Sequence, residues 1–161
     1  MSHPFDELTL EGSAALIFTP CPGTKTQTLK DALLTLKQAG ASAILTLMPE
    51  DEIARNQVND LPALCEELGL AWFHCPIEDD HAPQADFATA WQQQGPQIHQ
   101  LLKDGKKVAI HCKGGSGRTG LVVAQILIER GIDKDRVKQR IQALRPFALT
   151  LAPHQAYFQS L

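Results

Sequence analysis

Apolar and polar positions change period several times along the chain, and each change marks an element. Ala14-Ala-Leu-Ile-Phe18 is an unbroken apolar run that reads as a short buried strand, and Pro20-Cys-Pro-Gly23 turns the chain behind it. Thr28 and Asp31 are spaced like a capping box, and Leu29, Leu33 and Leu36 form one face of the helix that follows, ending at Gly40. Ala43–Leu47 is the next strand, closed by Pro49, and the acidic run from Glu50 to Glu52 reads as a solvated loop. Asp60 is placed to cap a helix with Pro62 in its first turn, with Leu61, Leu64, Cys65 and Leu68 facing inward and Gly69 at its end. Leu70–His74 is a third strand, ended by Pro76.

A long helical pattern follows, with Phe87, Trp91, Ile98 and Leu101 on one face and Gly95-Pro96 expected to kink or split it. Residues 107–111 form a strand. The helix expected from Thr119 to Arg130 is apolar on nearly all sides and should run through the core. Asp133 caps a last amphipathic helix with Val137, Ile141 and Leu144 inward, stopped by Arg145-Pro146, and a short helix lies around Gln155–Phe158. Strands that alternate with helices predict an α/β fold with a mostly parallel central sheet flanked by helices. No repeat or linker interrupts the pattern, so residues 1–161 are expected to form one domain.

Composition narrows the class. The 161 residues are 43% hydrophobic with mixed charge, enough for a folded core. A net charge of −3 provides no general attraction to nucleic acid or to an anionic membrane. No apolar stretch reaches membrane-spanning length, and residues 1–10 lack a hydrophobic signal region. The cysteines at 21, 65, 75 and 112 show no Cys-x-x-Cys spacing, so no metal site and no disulfide framework is expected, and a reducing cytoplasmic setting is. Nothing in the pattern specifies an oligomeric state.

The chemistry concentrates at His111-Cys-Lys-Gly-Gly-Ser-Gly-Arg-Thr-Gly120, between the 107–111 strand and the apolar helix. A strand, a glycine-rich turn and a helix start make an anion cradle of backbone N–H groups from Lys113, Gly114, Gly115, Ser116, Gly117 and Arg118. Cys112 stands at its mouth. Amide donors, a helix N-terminus and the Arg118 guanidinium favour a thiolate there, and the planar Arg fork fits two oxygens of a phosphate. A thiolate in a phosphate cradle points to phosphoryl transfer onto cysteine, with no metal and no cofactor. The turn lacks the Gly-Lys-Ser/Thr close of a nucleotide-binding loop. A rhodanese-like sulfur-transfer loop and a structural cysteine remain as alternatives, but neither requires the Arg-Thr-Gly ending.

Cys-x5-Arg preceded by His and followed by Thr-Gly resembles the signature of the cysteine-dependent protein tyrosine and dual-specificity phosphatases. Seven positions match together: His111, Cys112, Gly115, Gly117, Arg118, Thr119 and Gly120. The resemblance extends to Pro76-Ile-Glu-Asp-Asp-His-Ala-Pro83, which is similar to the family's acid loop. It implies that Asp79, four residues before Pro83, protonates the leaving oxygen and later activates water, with Asp80 as the neighbouring alternative. It also implies that Thr119 donates to the Cys112 sulfur, where helix capping is the local alternative, and that His111 orients the cradle. Gln155 falls near a water-positioning glutamine of related enzymes, one residue out of step. His81 and Lys113 are each read equally well as cleft-facing or as solvent-exposed. Together with the Pro-Gly turn near the start and Arg145-Pro-Phe-Ala-Leu149, these features look most like the kinase-associated branch of the dual-specificity phosphatases.

The implied substrate is a phosphorylated protein side chain, phosphotyrosine before phosphoserine and phosphothreonine. A phosphoinositide is the rival, and a phosphate-binding pseudoenzyme a further one. The cradle holds Lys113 and Arg118 as its fixed cations, where tensin-like lipid phosphatases carry a second lysine in place of Ser116. No polybasic or amphipathic docking segment appears, so stable membrane association is not expected.

Overall fold

The computed structural model describes residues 1–161. Its centre is a five-stranded sheet in the order β1-β2-β5-β3-β4, built from β1 (Asp6–Thr9), β2 (Ala15–Thr19), β3 (Ala41–Thr46), β4 (Ala71–His74) and β5 (Lys107–His111). The last four run parallel. β1 pairs antiparallel with β2 at the edge, Asp6 opposite Phe18. Parallel strands covered on both faces need unbroken apolar runs, and β2 is buried at all five positions. β1 was not anticipated, because its residues alternate in burial and lack an apolar run.

Alternation along the strands divides the core. Leu16, Phe18, Leu45, Phe73, Val108 and Ile110 face a large cluster covered by α4 (Ala85–Lys103), α5 (Gly117–Glu129), α6 (Lys134–Leu144) and α7 (Ala152–Ser160). Ile17, Ile44 and Ala109 face a smaller one formed with α1 (Leu29–Gln38) and α3 (Leu61–Glu67). Residues 118–127 of α5 are all buried, as its all-round apolar sequence predicts, which makes it a fixed pedestal behind the turn it follows. The helix begins at Gly117, two residues earlier than the sequence pattern suggests, so Arg118 lies inside its first turn.

Three further expectations are corrected. The run 50–52 is not a solvated loop but the start of α2 (Glu50–Arg55). Its acidic first turn complements the helix dipole, and Glu52 is buried. Of the kink or split expected at Gly95-Pro96, the split does not occur, and α4 runs unbroken over 19 residues. Pro96 stands on the exposed face, and Gly95 leaves room for the Trp91 ring, which would lie 2.8 Å from a Cβ there. Asp60 precedes α3 but makes no side-chain cap, whereas Thr28 and Asp133 cap α1 and α6 as expected.

Candidate active site

β2, β3, β4 and β5 end side by side at Thr19, Thr46, His74 and His111, and the 112–117 turn rises from this edge. Its curl depends on Gly115. At φ +80° that residue is left-handed, and a Cβ would lie 2.5 Å from the Thr19 carbonyl carbon. Gly114 and Gly117 have room for a side chain, so of the three glycines in the turn only Gly115 is sterically required. Cys112 lies on the floor of the cradle rather than at its mouth, 3% exposed. Its Sγ accepts hydrogen bonds from the Gly115 N–H and the Thr119 hydroxyl, each at 3.3 Å, and both donors favour negative charge on sulfur. The Thr119 hydroxyl therefore serves the sulfur, and Ser116 holds the N-cap position of α5.

Arg118 is 2% exposed and held by a residue that sequence spacing does not reveal. Glu52 accepts from Nη1 and Nη2 at 2.8 Å each, and the Ile77 carbonyl accepts a second Nη1–H at 3.0 Å. The end of the guanidinium is thus consumed, while Nε–H and the outer Nη2–H remain for the cleft, where Asp79 Oδ1 lies 3.4 Å from Nη2. Burial works against the charged form. The Glu52 hydrogen bonds, with the charges at Cys112, Glu52 and Asp79, outweigh it and raise the Arg118 pKa above its ordinary value. A cation fixed at one end and open along one side is built to hold two oxygens of an anion.

Behind the cradle a chain of hydrogen bonds crosses the sheet. Trp72 Nε1–H donates to Thr46 Oγ1 at 2.9 Å, and Thr46 Oγ1 lies 2.7 Å from His111 Nε2. His111 Nδ1 is 3.1 Å from the Cys112 carbonyl, which can only accept. Nδ1 therefore carries the proton, and Nε2 accepts from the Thr46 hydroxyl. Burial drives the His111 pKa down to about 4, so the ring is neutral and orients the Cys112 backbone. Arg145 braces the turn from the other side, donating from Nε to the Gly115 carbonyl at 3.1 Å while Nη1 pairs with Asp6.

Asp79, Asp80, Lys113, Leu151 and His154 wall the cleft above Cys112, whose volume is about 250 Å³. Gly114, Ser116, Gly117 and Arg118 complete its lining, so the turn residues named from sequence come together with the acid loop. Asp79 is the loop carboxylate in contact with Arg118, and Asp80 sits in a left-handed conformation at φ +62°. His81 is exposed, and its carbonyl lies 2.9 Å from Nε2 of the buried His154, which ties the loop to α7. Gln155 faces a different recess, with Lys134 and Lys138, so the terminal-helix residue in the cleft is His154, one position earlier. Cys21, Cys65 and Cys75 are buried, and desolvation pushes each thiol up to about 12. Glu52, Arg145 and His154 are the site residues that sequence reasoning missed. A buried acid facing Arg118 from 66 residues away leaves no local signal, but one helical step back from Gln155 was within reach.

Comparison with known proteins agrees with this geometry. Residues 21–132 match the family described as "Polymorphic toxin system, DSP-PTPase phosphatase". The chain is 31% identical over 110 residues to cyclin-dependent kinase inhibitor 3 of Rattus norvegicus, covering 68% of this chain and 50% of that protein. It is 30% identical over 81 residues to dual specificity phosphatase 28 of Mus musculus, covering 50% and 48%. The chain thus spans about half the length of the curated relatives it matches. A crystal structure of kinase associated phosphatase, with its catalytic-site cysteine substituted by serine, superposes with a TM-score of 0.87 at 23% identity, covering 99% of this chain and 94% of that one. Tk-PTP in its active form gives 0.74 at 23% identity, covering 96% and 95%. The chain belongs to the dual-specificity type of the protein tyrosine phosphatase superfamily. Within it, the resemblance to the kinase-associated branch extends over most of the fold.

Proposed function

We propose that the protein hydrolyses phosphomonoesters on protein side chains, phosphotyrosine foremost, through a phosphocysteine. The Cys112 thiolate attacks phosphorus while the 113–118 amides and the open edge of Arg118 hold the equatorial oxygens. Asp79 gives its proton to the departing oxygen. In the second step the same carboxylate takes a proton from water, the water oxygen bonds to phosphorus, and the S–P bond breaks. The Thr119 hydroxyl stabilises the thiolate as it leaves. The observation that carries this reading is the convergence on one sulfur of the Gly115 and Thr119 donors, with the Arg118 edge on the same turn. No metal or cofactor enters the scheme, and a reducing cytoplasmic setting suits a free thiol.

Hydrolysis of an aryl phosphate should vanish in Cys112→Ser and withstand a chelator; substantial turnover by the serine variant would refute the covalent step. A phosphoinositide remains the second reading, because Lys113 is exposed in the cleft. Exposed Asp79 and Asp80 border the same cleft, exposed Glu78 precedes them in the loop, and their charge opposes a headgroup with several phosphates. Matched panels of phosphotyrosine peptides, phosphothreonine peptides and soluble phosphoinositides separate the two. A preference for inositides lost in Lys113→Ala would overturn the protein substrate and leave the chemistry at Cys112 standing. Phosphopeptide binding by the wild type without phosphate release would identify a pseudoenzyme.

A further inference from the structure

Large hydrophobic side chains are buried throughout the chain, with few exceptions. Apart from the terminal Met1, those left exposed are Phe147 at 86% and Leu151 at 42%. They lie four residues apart in the segment that joins α6 to α7, which runs from a brace on the cradle turn to the wall of the cleft. Arg145, at its start, donates to the Gly115 carbonyl, and Leu151, at its end, lines the cleft wall. Between them Ala148 and Leu149 are buried, Ala148 close enough to Gly120 that a Cβ there would lie 2.8 Å from its own. Thr150 Oγ1 closes the turn on the Phe147 carbonyl. The segment is thus anchored from beneath and turns Phe147 outward. Single exposed apolar residues are ordinary, but here the two large ones outside the terminus fall together in one short segment, and one of them lines the cleft.

We infer that Phe147 and Leu151 form a docking rim for the substrate polypeptide, receiving a bulky apolar side chain next to the phosphorylated residue. The inference rests on the phosphoprotein reading above and names the sequence context that the site selects. Charge supports a peptide as the occupant. Glu78, Asp79 and Asp80 are exposed on the acid loop against one exposed lysine, Lys113, in the cleft. That balance repels an anionic membrane surface and disfavours acidic residues beside the phosphate, while a neutral or basic segment with one apolar anchor meets no repulsion.

The test is a set of phosphotyrosine peptides in which each flanking position carries Leu or Phe, Ser, Glu or Lys in turn. At one flank the apolar peptide should exceed the serine peptide in kcat/KM by roughly tenfold, the equivalent of ~1.4 kcal/mol. In Phe147→Ser that preference should collapse to within about twofold, and kcat/KM for the apolar peptide should fall relative to that for a small aryl phosphate, which has no flanking residue. Indifference of the wild type at every position, or a preference that survives Phe147→Ser, overturns the proposal. Binding of the same peptides to Cys112→Ser, read by fluorescence anisotropy, separates it from the hydrolase reading. A Phe147-dependent apolar preference in binding with no turnover by the wild type would refute hydrolysis and keep the docking rim. Phe147-dependent binding to phosphatidylserine vesicles, with no peptide preference, would replace the peptide by a membrane.

Discussion

Removing Glu52 should cost both stability and catalysis, although no catalytic step uses it directly. Its carboxylate and the Arg118 guanidinium are almost fully shielded from water, with side-chain exposures of 9% and 2%. Truncating one partner of such a pair typically costs about 3–5 kcal/mol, because the other charge stays buried. Here Arg118 keeps the Ile77 carbonyl and has Asp79 at 3.4 Å, which places Glu52→Ala near the lower end, about 3 kcal/mol. For a chain of this length that corresponds to a fall in Tm of roughly 6–12 °C. The kinetic loss has a different origin. Without Glu52 the guanidinium can turn its end toward Asp79, which takes the open edge from the phosphate and the carboxylate from the leaving oxygen. A displacement of about 1 Å in a positioning group costs on the order of a hundredfold in rate. Glu52→Gln keeps the shape and one acceptor, so it should fall between the wild type and Glu52→Ala in both respects. Thermal unfolding and kcat/KM on an aryl phosphate measure the two effects separately. A Glu52→Ala protein that melts within about 2 °C of the wild type and retains its kcat/KM would show that Arg118 is held by the turn alone.

Further outcomes follow from other parts of the site. Asp79→Ala should slow alkyl phosphates far more than activated aryl phosphates, which need little protonation, while Asp80→Ala leaves that ratio unchanged; the reverse result would move the acid to Asp80. His154→Ala releases the His81 carbonyl and should lower kcat on alkyl phosphates by about fivefold to tenfold with little change in KM, as expected for a positioning hydrogen bond worth ~1 kcal/mol. His154→Gln, which can donate from the same place, should recover most of that loss. Acid should destabilise the fold through His111, whose pKa is lowered from 6.5 to about 4. The unfolded chain then binds the proton first, so stability is complete above pH 6.5 and falls by roughly 3 kcal/mol as pH drops toward 4, a slope that urea titrations should find flattened in His111→Asn. Peroxide should convert Cys112 to a sulfenic acid that condenses with the Cys21 thiol, releasing water. Cys21 follows β2, the neighbour of β5, and its N–H bonds the Lys113 carbonyl at 3.0 Å. Cys75 lies two strands away, about 9–10 Å, beyond disulfide reach. Peptide maps of oxidised protein showing a 75–112 link instead would contradict that assignment.

What was legible in the sequence follows the range of the forces involved. The strands β2, β3 and β5 announce themselves because strands covered on both faces must be largely apolar. β4 does so because Leu70–Phe73 is an apolar run between Gly69 and Pro76, although only Phe73 of the strand is buried, and α5 because a helix inside the core must be apolar all round. The turn from Cys112 to Arg118 is legible for a similar reason, since all its parts are covalently close and the turn geometry demands Gly115. The edge strand β1 escaped because half its positions face solvent, and α2 because a six-residue acidic segment has no periodicity to distinguish it from a loop. Glu52 escaped with it. An acidic residue is read as solvated unless something is known to neutralise it, and the neutralising group lies 66 residues away.

The same distance explains why the site needs the whole fold. In the proposed reaction Arg118 serves three anions: a fixed carboxylate, the acid-loop carboxylate and the phosphate. Had they competed for the same N–H groups, the strongest, fully buried partner would exclude the others. The geometry avoids this by dividing the guanidinium. Glu52 and Ile77 occupy its end, Asp79 touches one corner, and the remaining side faces the cleft. That division requires α2 to enter from beyond β3, the acid loop from beyond β4, and α5 to stand immovable beneath, three placements set by the strand order β5-β3-β4. A lysine at 118 would supply the charge but has no second edge, so Arg118→Lys should fail to hold the phosphate while Glu52 holds the lysine. The expected result is a rise in KM together with a fall in kcat, even though the net charge of the cradle is unchanged. Activity near that of the wild type in Arg118→Lys would mean that the cradle works as a point charge, and that the division of edges does not matter.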